Sequence, residues 1–336
     1  MELRRLFAFV ALAAAADTAA AASFCITNVS QLQTALTTAA SNGEDDTIYI
    51  RNGTYLLTAE LNYYAASDET HRLAIFGGIG SNCQSYDTSG YTALDGQNAR
   101  RILTINAYGE VDIGRITFQN GNPSQYFGGA LNLSNNGADT YVFTSLFVGN
   151  DVAAGNAGGA MYIYSSNGGD IFVFSNAFLA NSSSGGAIYA NGTGNTYLTG
   201  NTILANSLIN HTGLTGGVDI AGTGNIWLSN NILWNNENAD VYDQAGHARY
   251  TNNDIGVQAG FAPLSAANEL SVDPDFNGFL SLRPKPESPM VNAGFDTPPG
   301  GVGGCCDPSG GQRVQGRHVD IGAYETDVLF RDVFGN

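Results

Sequence analysis

Gly128-Gly129-Ala130-Leu131, Gly158-Gly159-Ala160-Met161, Gly185-Gly186-Ala187-Ile188 and Thr215-Gly216-Gly217-Val218 open four successive stretches of the chain, and their return decides the fold. Each is followed by a second segment of alternating apolar residues and then by an asparagine. Those segments end Phe147-Val148-Gly149-Asn150, Phe178-Leu179-Ala180-Asn181, Ile203-Leu204-Ala205-Asn206 and Leu233-Trp234-Asn235-Asn236. The asparagine recurs at intervals of 31, 25 and 30 residues. Short strands joined by tight turns at that period suit one coil of a solenoid. The repeats lack the 3.6-residue apolar period of helical repeats. The expected fold is all-β: a right-handed parallel β-helix with an N-terminal capping helix and an irregular C-terminal cap.

Aligning the coils gives columns. Leu131, Met161, Ile188 and Val218 are expected to point inward, and Asn132, Tyr162, Tyr189 and Asp219 outward, because strand side chains alternate. In the next strand Val142, Val173, Leu198 and Leu228 point inward, beside an outward column of Tyr141, Phe172, Tyr197 and Trp227. Ser145, Asn176, Asn201 and Asn231 line up at a turn. Coils lie ~4.8 Å apart, so stacked asparagines can hydrogen-bond along the axis.

Ser30-Gln31-Leu32-Gln33 fits an S-x-x-Q capping box. Leu32, Ala35, Leu36 and Ala39 then follow at helical spacing, and Asn42-Gly43 stops the helix, which can plug the N-terminal end. Ahead of it, Arg4 and Arg5 precede an apolar run from Leu6 to Ala16 and a small-residue site ending Ala20-Ala21-Ala22-Ser23. That order describes a secretory signal peptide over residues 1–22. The run is shorter than the ~20 apolar residues of a membrane span. The rest reads as one continuous domain, 23–336: N-terminal cap and first coils over 23–100, central coils over 101–256, and a Pro- and Gly-rich cap and tail over 257–336, folded over the last coil.

The chain has 43 Gly, one lysine (Lys285) and a net charge of −17. Such a surface disfavours nucleic acid and anionic membrane, and also polyanionic sugars unless a local basic groove exists. Membrane insertion of the mature chain is not expected. Its 43% hydrophobic and 10% aromatic content argues for a packed core rather than disorder. Cys25 and Cys83 flank the N-terminal cap, where export permits a disulfide. Cys305 and Cys306 are adjacent. A strained vicinal bond, free thiols or cross-pairing with the first two cysteines all stand open. No C-x-x-C spacing supports zinc.

The GGA and F-x-x-N repeats, as at Gly158-Gly159-Ala160 and Phe178-Leu179-Ala180-Asn181, resemble those of polymorphic outer-membrane proteins. The C-terminal stretch is similar to the ending of secreted β-helix proteins named for a choice of anchor. It reads Asp273-Pro274-Asp275-Phe276, then Ser288-Pro289-Met290-Val291-Asn292-Ala293-Gly294, and closes Asp320-Ile321-Gly322-Ala323-Tyr324-Glu325. The resemblance implies a right-handed parallel β-helix at the cell surface or in the medium. It does not fix an activity. The tail Val328–Phe334 reads as a sorting segment or as an extra strand.

Carboxylate pairs of the kind that flank a glycosidic bond are absent from the central coils. A lyase needs a base and a charge-neutralising cation. Arg72, Arg100, Arg101, Arg115 and Arg249 are scattered over different coils. The densest polar chemistry is Asp219, Asp240, Asp243, His247 and Arg249. It is either an acid–base or calcium site or a solvated turn, with Asp219, Asp243, His247 and Arg249 as the catalytic candidates. Asp307, Asp320 and Glu325 could bind calcium. Arg313 within that motif favours an ion-pair network instead, and no cofactor is required. The outward aromatics Tyr162, Tyr189, Tyr141, Phe172, Tyr197 and Trp227 suit sugar rings or a protein partner, or else stack on one another or lie under a loop such as Ser207–Leu214. Two classes of function follow. The preferred one is a secreted or surface module that binds polysaccharide or a surface protein, as an adhesin does. The alternative is a polysaccharide lyase.

Overall fold

The computed structural model describes residues 21–278, 282–302, 306–314 and 316–326. Most of the expected leader, the tail Val328–Phe334 and Cys305 lie outside the described residues. Three parallel sheets of ten, eight and eight strands stack as a β-solenoid of about 8 turns. One coil takes Leu131–Asn136 in the second sheet, Thr140–Phe143 in the first and Leu146–Val148 in the third. The next coil repeats the order with Met161–Ser166, Ile171–Phe174 and Ala177–Leu179. The strands run on past residue 256, to Gln258–Gly260 and Ser265–Ala267.

The expected columns are the observed register. Leu131 pairs with Met161, Met161 with Ile188 and Ile188 with Val218, and all four are buried. Val142, Val173, Leu198 and Leu228 line the first sheet in the same way. The third sheet adds an inward stack, Phe118, Phe147 and Phe178, with ring centroids 4.8 and 4.7 Å apart. Burying each such side chain stabilises by about 1.5–3 kcal/mol relative to leaving it in water.

Two buried ladders of asparagine run along the axis. In one, the Nδ2 atoms of Asn150, Asn181 and Asn206 each donate to the Oδ1 of the next, ending on Asn236, which donates to Asp240. In the other, Asn176, Asn201 and Asn231 donate onward to Asn253, which donates to Glu269. Each ladder therefore ends on a side-chain carboxyl, whose oxygen accepts the last amide hydrogen. The residue just before each ladder position takes positive φ, and it is seldom glycine: Thr144 (52°), Ser175 (50°) and Asn230 (57°) stand beside Gly200 (62°). The ladder holds the corner, so non-glycine residues accept a conformation that costs about 1–2 kcal/mol.

The helix α1, Val29–Ala39, buries Leu32, Ala35, Leu36 and Ala39 as expected. Its cap lies two residues earlier than expected. Asn28, not Ser30, caps it by accepting from Gln31 N, while Gln31 Oε1 accepts from Thr27 N. Asparagine is at least as good a cap as serine, and the chain must leave the strand Ala22–Ile26 before turning. Cys25 and Cys83 form a disulfide with Cα atoms 5.8 Å apart. Cys306 is also disulfide-bonded, which removes both the free-thiol state at Cys306 and any cross-pairing with the first two cysteines. Among the described residues no helix is long and apolar enough to cross a membrane, which says nothing of a β-barrel.

The C-terminal segment is irregular, but it does more than close the last coil. It runs back along the outer face of the third sheet as a strap. Ala293 and Phe295 accept from Asn252 and Asn230, Ala323 N donates to Thr202 Oγ1, and Cys306 O accepts from Thr144 Oγ1. Met290 and Ile321 bury against Ile232, and Leu282, Phe276 and Tyr324 pack with Leu179 and Leu204. Gly322 takes φ +103°, and a Cβ there would fall 2.6 Å from Ile232. The terminal motif is thus the part that seats the strap.

Candidate functional site

The strap leaves part of the third sheet uncovered. In other coils the corner between the first and third sheets takes one or two residues, as at Arg115 between Val111–Gly114 and Ile116–Gln119. In an early coil the strand Leu73–Ile79 is instead followed by an insertion, residues 80–91, before Thr92–Asp95. Cys83 ties this insertion to Cys25, so the disulfide pins a protruding wall as well as the N-terminal end. A cleft of about 410 Å³ lies between insertion and strap. Its floor is Thr117, Gln119, Leu146 and Val148, and its walls include Tyr91 and Thr88 on one side and Ser309 and Tyr324 on the other.

Arg115 stands at the edge of this cleft. It occupies the corner column otherwise filled by glycine, threonine, serine and asparagine, and takes φ +60°. Its guanidinium Cζ lies 4.3 Å from the centroid of the Tyr86 ring. Gly78 and Gly310 lie beside it: a Cβ on Gly78 would sit 3.4 Å from Nε, and one on Gly310 3.7 Å from Nη2, both ordinary van der Waals contacts. Arg115 Nε is buried without an acceptor. No carboxylate pairs with Arg115 among the described residues, whereas Arg72, Arg101, Arg283 and Arg313 each hold one. Asp87, on the cleft wall, accepts from Ser89 N and Oγ, bonds that hold its carboxyl below the usual range. Tyr91 is 64% exposed, with no ring contact to another aromatic among the described residues.

The suggested catalytic group does not converge. Asp219 alternates with the core residues Val218 and Ile220, so it lies on the outer face of its sheet. Asp243 pairs with Ile220 and so shares the inward face. Asp219 is nevertheless covered rather than solvated: it accepts from Gln244 at 2.6 Å, and burial pushes its carboxyl up to about 6. Asp243 accepts from Ala245 N and Gly246 N. His247 directs Nε2 at Gly224 O (2.6 Å) and Nδ1 at Ala245 O (2.9 Å), leaving neither nitrogen turned toward a substrate. Arg249 reaches Asn225 and lies over the Trp227 ring. Asp240 is the ladder terminus described above. No hydrogen bond or ion pair joins any two of Asp219, Asp243, His247 and Arg249 among the described residues.

The outward aromatics do come together, on one another. Tyr141, Phe172, Tyr197 and Trp227 form a continuous stack with centroids 4.5, 4.8 and 4.9 Å apart. Phe127, Tyr162 and Tyr189 form a second, at 4.7 and 4.9 Å. Rings stacked along the axis cover each other's faces and present edges to solvent. The C-terminal carboxylates are likewise engaged. Arg313, buried, donates to Glu325 at 2.6 Å; Asp307 accepts from Arg283, Ser309 and Gly311; Asp320 accepts from Asn292 N and Thr326 N. Burial pushes Glu325 up to about 7 against the pull of Arg313. Among the described residues no group of three or more His, Cys, Asp or Glu gathers as a metal site would require.

Sequence reasoning placed Arg115 among scattered arginines and did not see the cleft. A signal was present. The outward third-sheet positions change from Thr117 and Gln119 through Leu146 and Val148 to Ala177, Leu179, Thr202, Leu204, Ile232 and Trp234 along the axis. From Ala177 onward these mostly apolar positions pack beneath the strap. No protein-family model, no curated protein and no solved structure matches this chain.

Proposed function

We propose that this chain is an exported, non-catalytic glycan-binding module of the cell surface or medium, and that the cleft between insertion and strap seats the sugar. One observation carries this reading: the cleft combines the exposed ring of Tyr91 with hydroxyl and amide groups from Thr88, Thr117, Gln119 and Ser309. A flat aromatic face for the apolar side of a pyranose, with polar groups around it, is the usual composition of a sugar site. Export is supported by the leader-like N-terminus, by the likeness of the C-terminal motif to secreted β-helix proteins, and by the disulfide, which persists in oxidising compartments. A glycan array probed with the protein tests the reading. Binding is expected for the wild type and about tenfold weaker for Tyr91→Ala, as for loss of one stacking platform. Replacing Tyr162 and Tyr189 by alanine lies outside the cleft and should leave the signal intact. Loss of signal in that double variant but not in Tyr91→Ala would move the site to the aromatic stacks. No signal for any glycan would end the proposal.

A further inference from the structure

We propose that Arg115 anchors a sugar carboxylate, so that the cleft takes uronate-bearing oligosaccharides in preference to neutral ones. This rests on the glycan reading above and adds the ligand class.

The argument starts from the side chain. A guanidinium stays charged at any physiological pH. Leaving one of its N–H groups buried without an acceptor costs about 1–3 kcal/mol or more. At Arg115 Nε is buried without an acceptor, and no carboxylate pairs with the guanidinium among the described residues. The backbone there takes φ +60°, the conformation it shares with the other residues of this corner column, Thr144, Ser175 and Asn230. A guanidinium without a carboxylate partner, at the rim of a cleft, keeps its charge for a ligand to pair. Tyr86 packs on one face of the guanidinium and so fixes its plane. Nε itself is shielded from solvent, so the route for a partner is the terminal Nη edge, which a carboxylate matches with two parallel hydrogen bonds.

The surroundings decide what carries the carboxylate. Thr117 and the amide oxygen of Gln119 offer hydrogen bonds on the floor, and Tyr91 offers a ring face. That set fits a hydroxyl-rich ring better than an acidic peptide, whose backbone would seek an unpaired strand edge; the floor strands Ile116–Gln119 and Leu146–Val148 are paired on both sides. The net charge of −17 opposes a long polyanion. At ~8 Å screening in physiological salt, however, that opposition is weak beside a direct contact. A single anchored carboxylate on a short chain therefore suits the cleft. Asp87 on the wall is the nearest cost to such a ligand.

Calorimetric titration of the full chain with short oligogalacturonate and with its fully methyl-esterified form tests this without altering the protein. The free acid should bind about tenfold or more tightly than the ester. Arg115→Gln should remove that preference, Arg115→Lys should keep part of it, and Asp87→Asn should strengthen acid binding. If Arg115→Gln fails the thermal-unfolding check, the ester comparison and Arg115→Lys still decide. Equal binding of acid and ester overturns the uronate assignment and leaves the glycan reading standing. Binding of neither, with no neutral glycan on the array, overturns both. Arg115-dependent capture of an acidic peptide in place of the uronate also overturns it.

Discussion

Glu269 shows how a single residue can set the pH response of a solenoid. It is the last acceptor of an asparagine ladder, receiving from Asn253 Nδ2 at 3.1 Å. Burial pushes its carboxyl up to about 7. Asp254 and Asp219 are raised to about 6 for the same reason. A folded-state pKa above the unfolded value means that the native state holds the proton more tightly. The stabilisation is then complete below the ordinary carboxyl range and is lost as pH rises through the folded value. The melting temperature is expected to fall between pH 5 and pH 8 on these raised values. Glu269→Gln removes one ionisation and keeps an acceptor for Asn253. The variant should melt higher than wild type at pH 8, by about 2 °C or more, and match it at pH 5. Parallel pH-dependent curves for the two proteins would show that the ladder terminus does not titrate in this range.

At the scale of elements, legibility followed period. The inward columns and both asparagine columns could be read because coils in register force like residues to stack, and a period survives in the sequence. The insertion 80–91 and the strap occur once each. Nothing repeats, so no column announces where they lie. The grouping of Asp219, Asp243, His247 and Arg249 was read from the aligned coils, and there alternation along paired strands puts Asp219 and Asp243 on opposite faces. The disulfide was legible as a pairing, and its role changes once the insertion is seen. It closes a 58-residue separation, for which chain entropy predicts about 4 kcal/mol. It also fixes one wall of the cleft. Replacing Cys25 and Cys83 together by serine should therefore lower denaturant stability by a few kcal/mol and weaken the proposed glycan binding in conditions where the coils remain folded. Circular dichroism and the binding titration, run side by side, separate the effects. Unchanged binding in the folded variant would show that the insertion holds its place unaided.

The whole molecule departs from a simple stack of coils because of the strap. In a plain solenoid each coil touches only its neighbours, so stability is a sum of local terms and unfolding can begin at either end. Here the end near Ser265–Ala267 carries Phe261 and Leu264, each 60% exposed, and gives little protection of its own. The strap binds Asn252 and Asn230 late in the chain, Thr202 and Thr144 in the middle, and comes against Thr88 in the early insertion. Coils remote from one another are thereby tied into one cooperative unit. The tie depends on Arg313. It lies buried against Gly200, where a Cβ would come within 2.6 Å of Nη2, and it pairs with Glu325. Removing one member of a buried pair strands the other charge and costs about 3–5 kcal/mol. Arg313→Ala should therefore release the strap before it unfolds the coils. Wild type is expected to unfold in one transition, with tryptophan fluorescence and far-ultraviolet circular dichroism coincident. In Arg313→Ala the fluorescence transition should move to lower denaturant, since Trp234 packs under the strap, while the β signal persists. Hydrogen exchange should then rise first over the described strap residues 282–302, 306–314 and 316–326 and next in the strands Thr202–Leu204 and Ile232–Trp234 that the strap covers. Coincident transitions in the variant would mean that the coils hold together without the strap, and that the C-terminal motif serves the cleft alone.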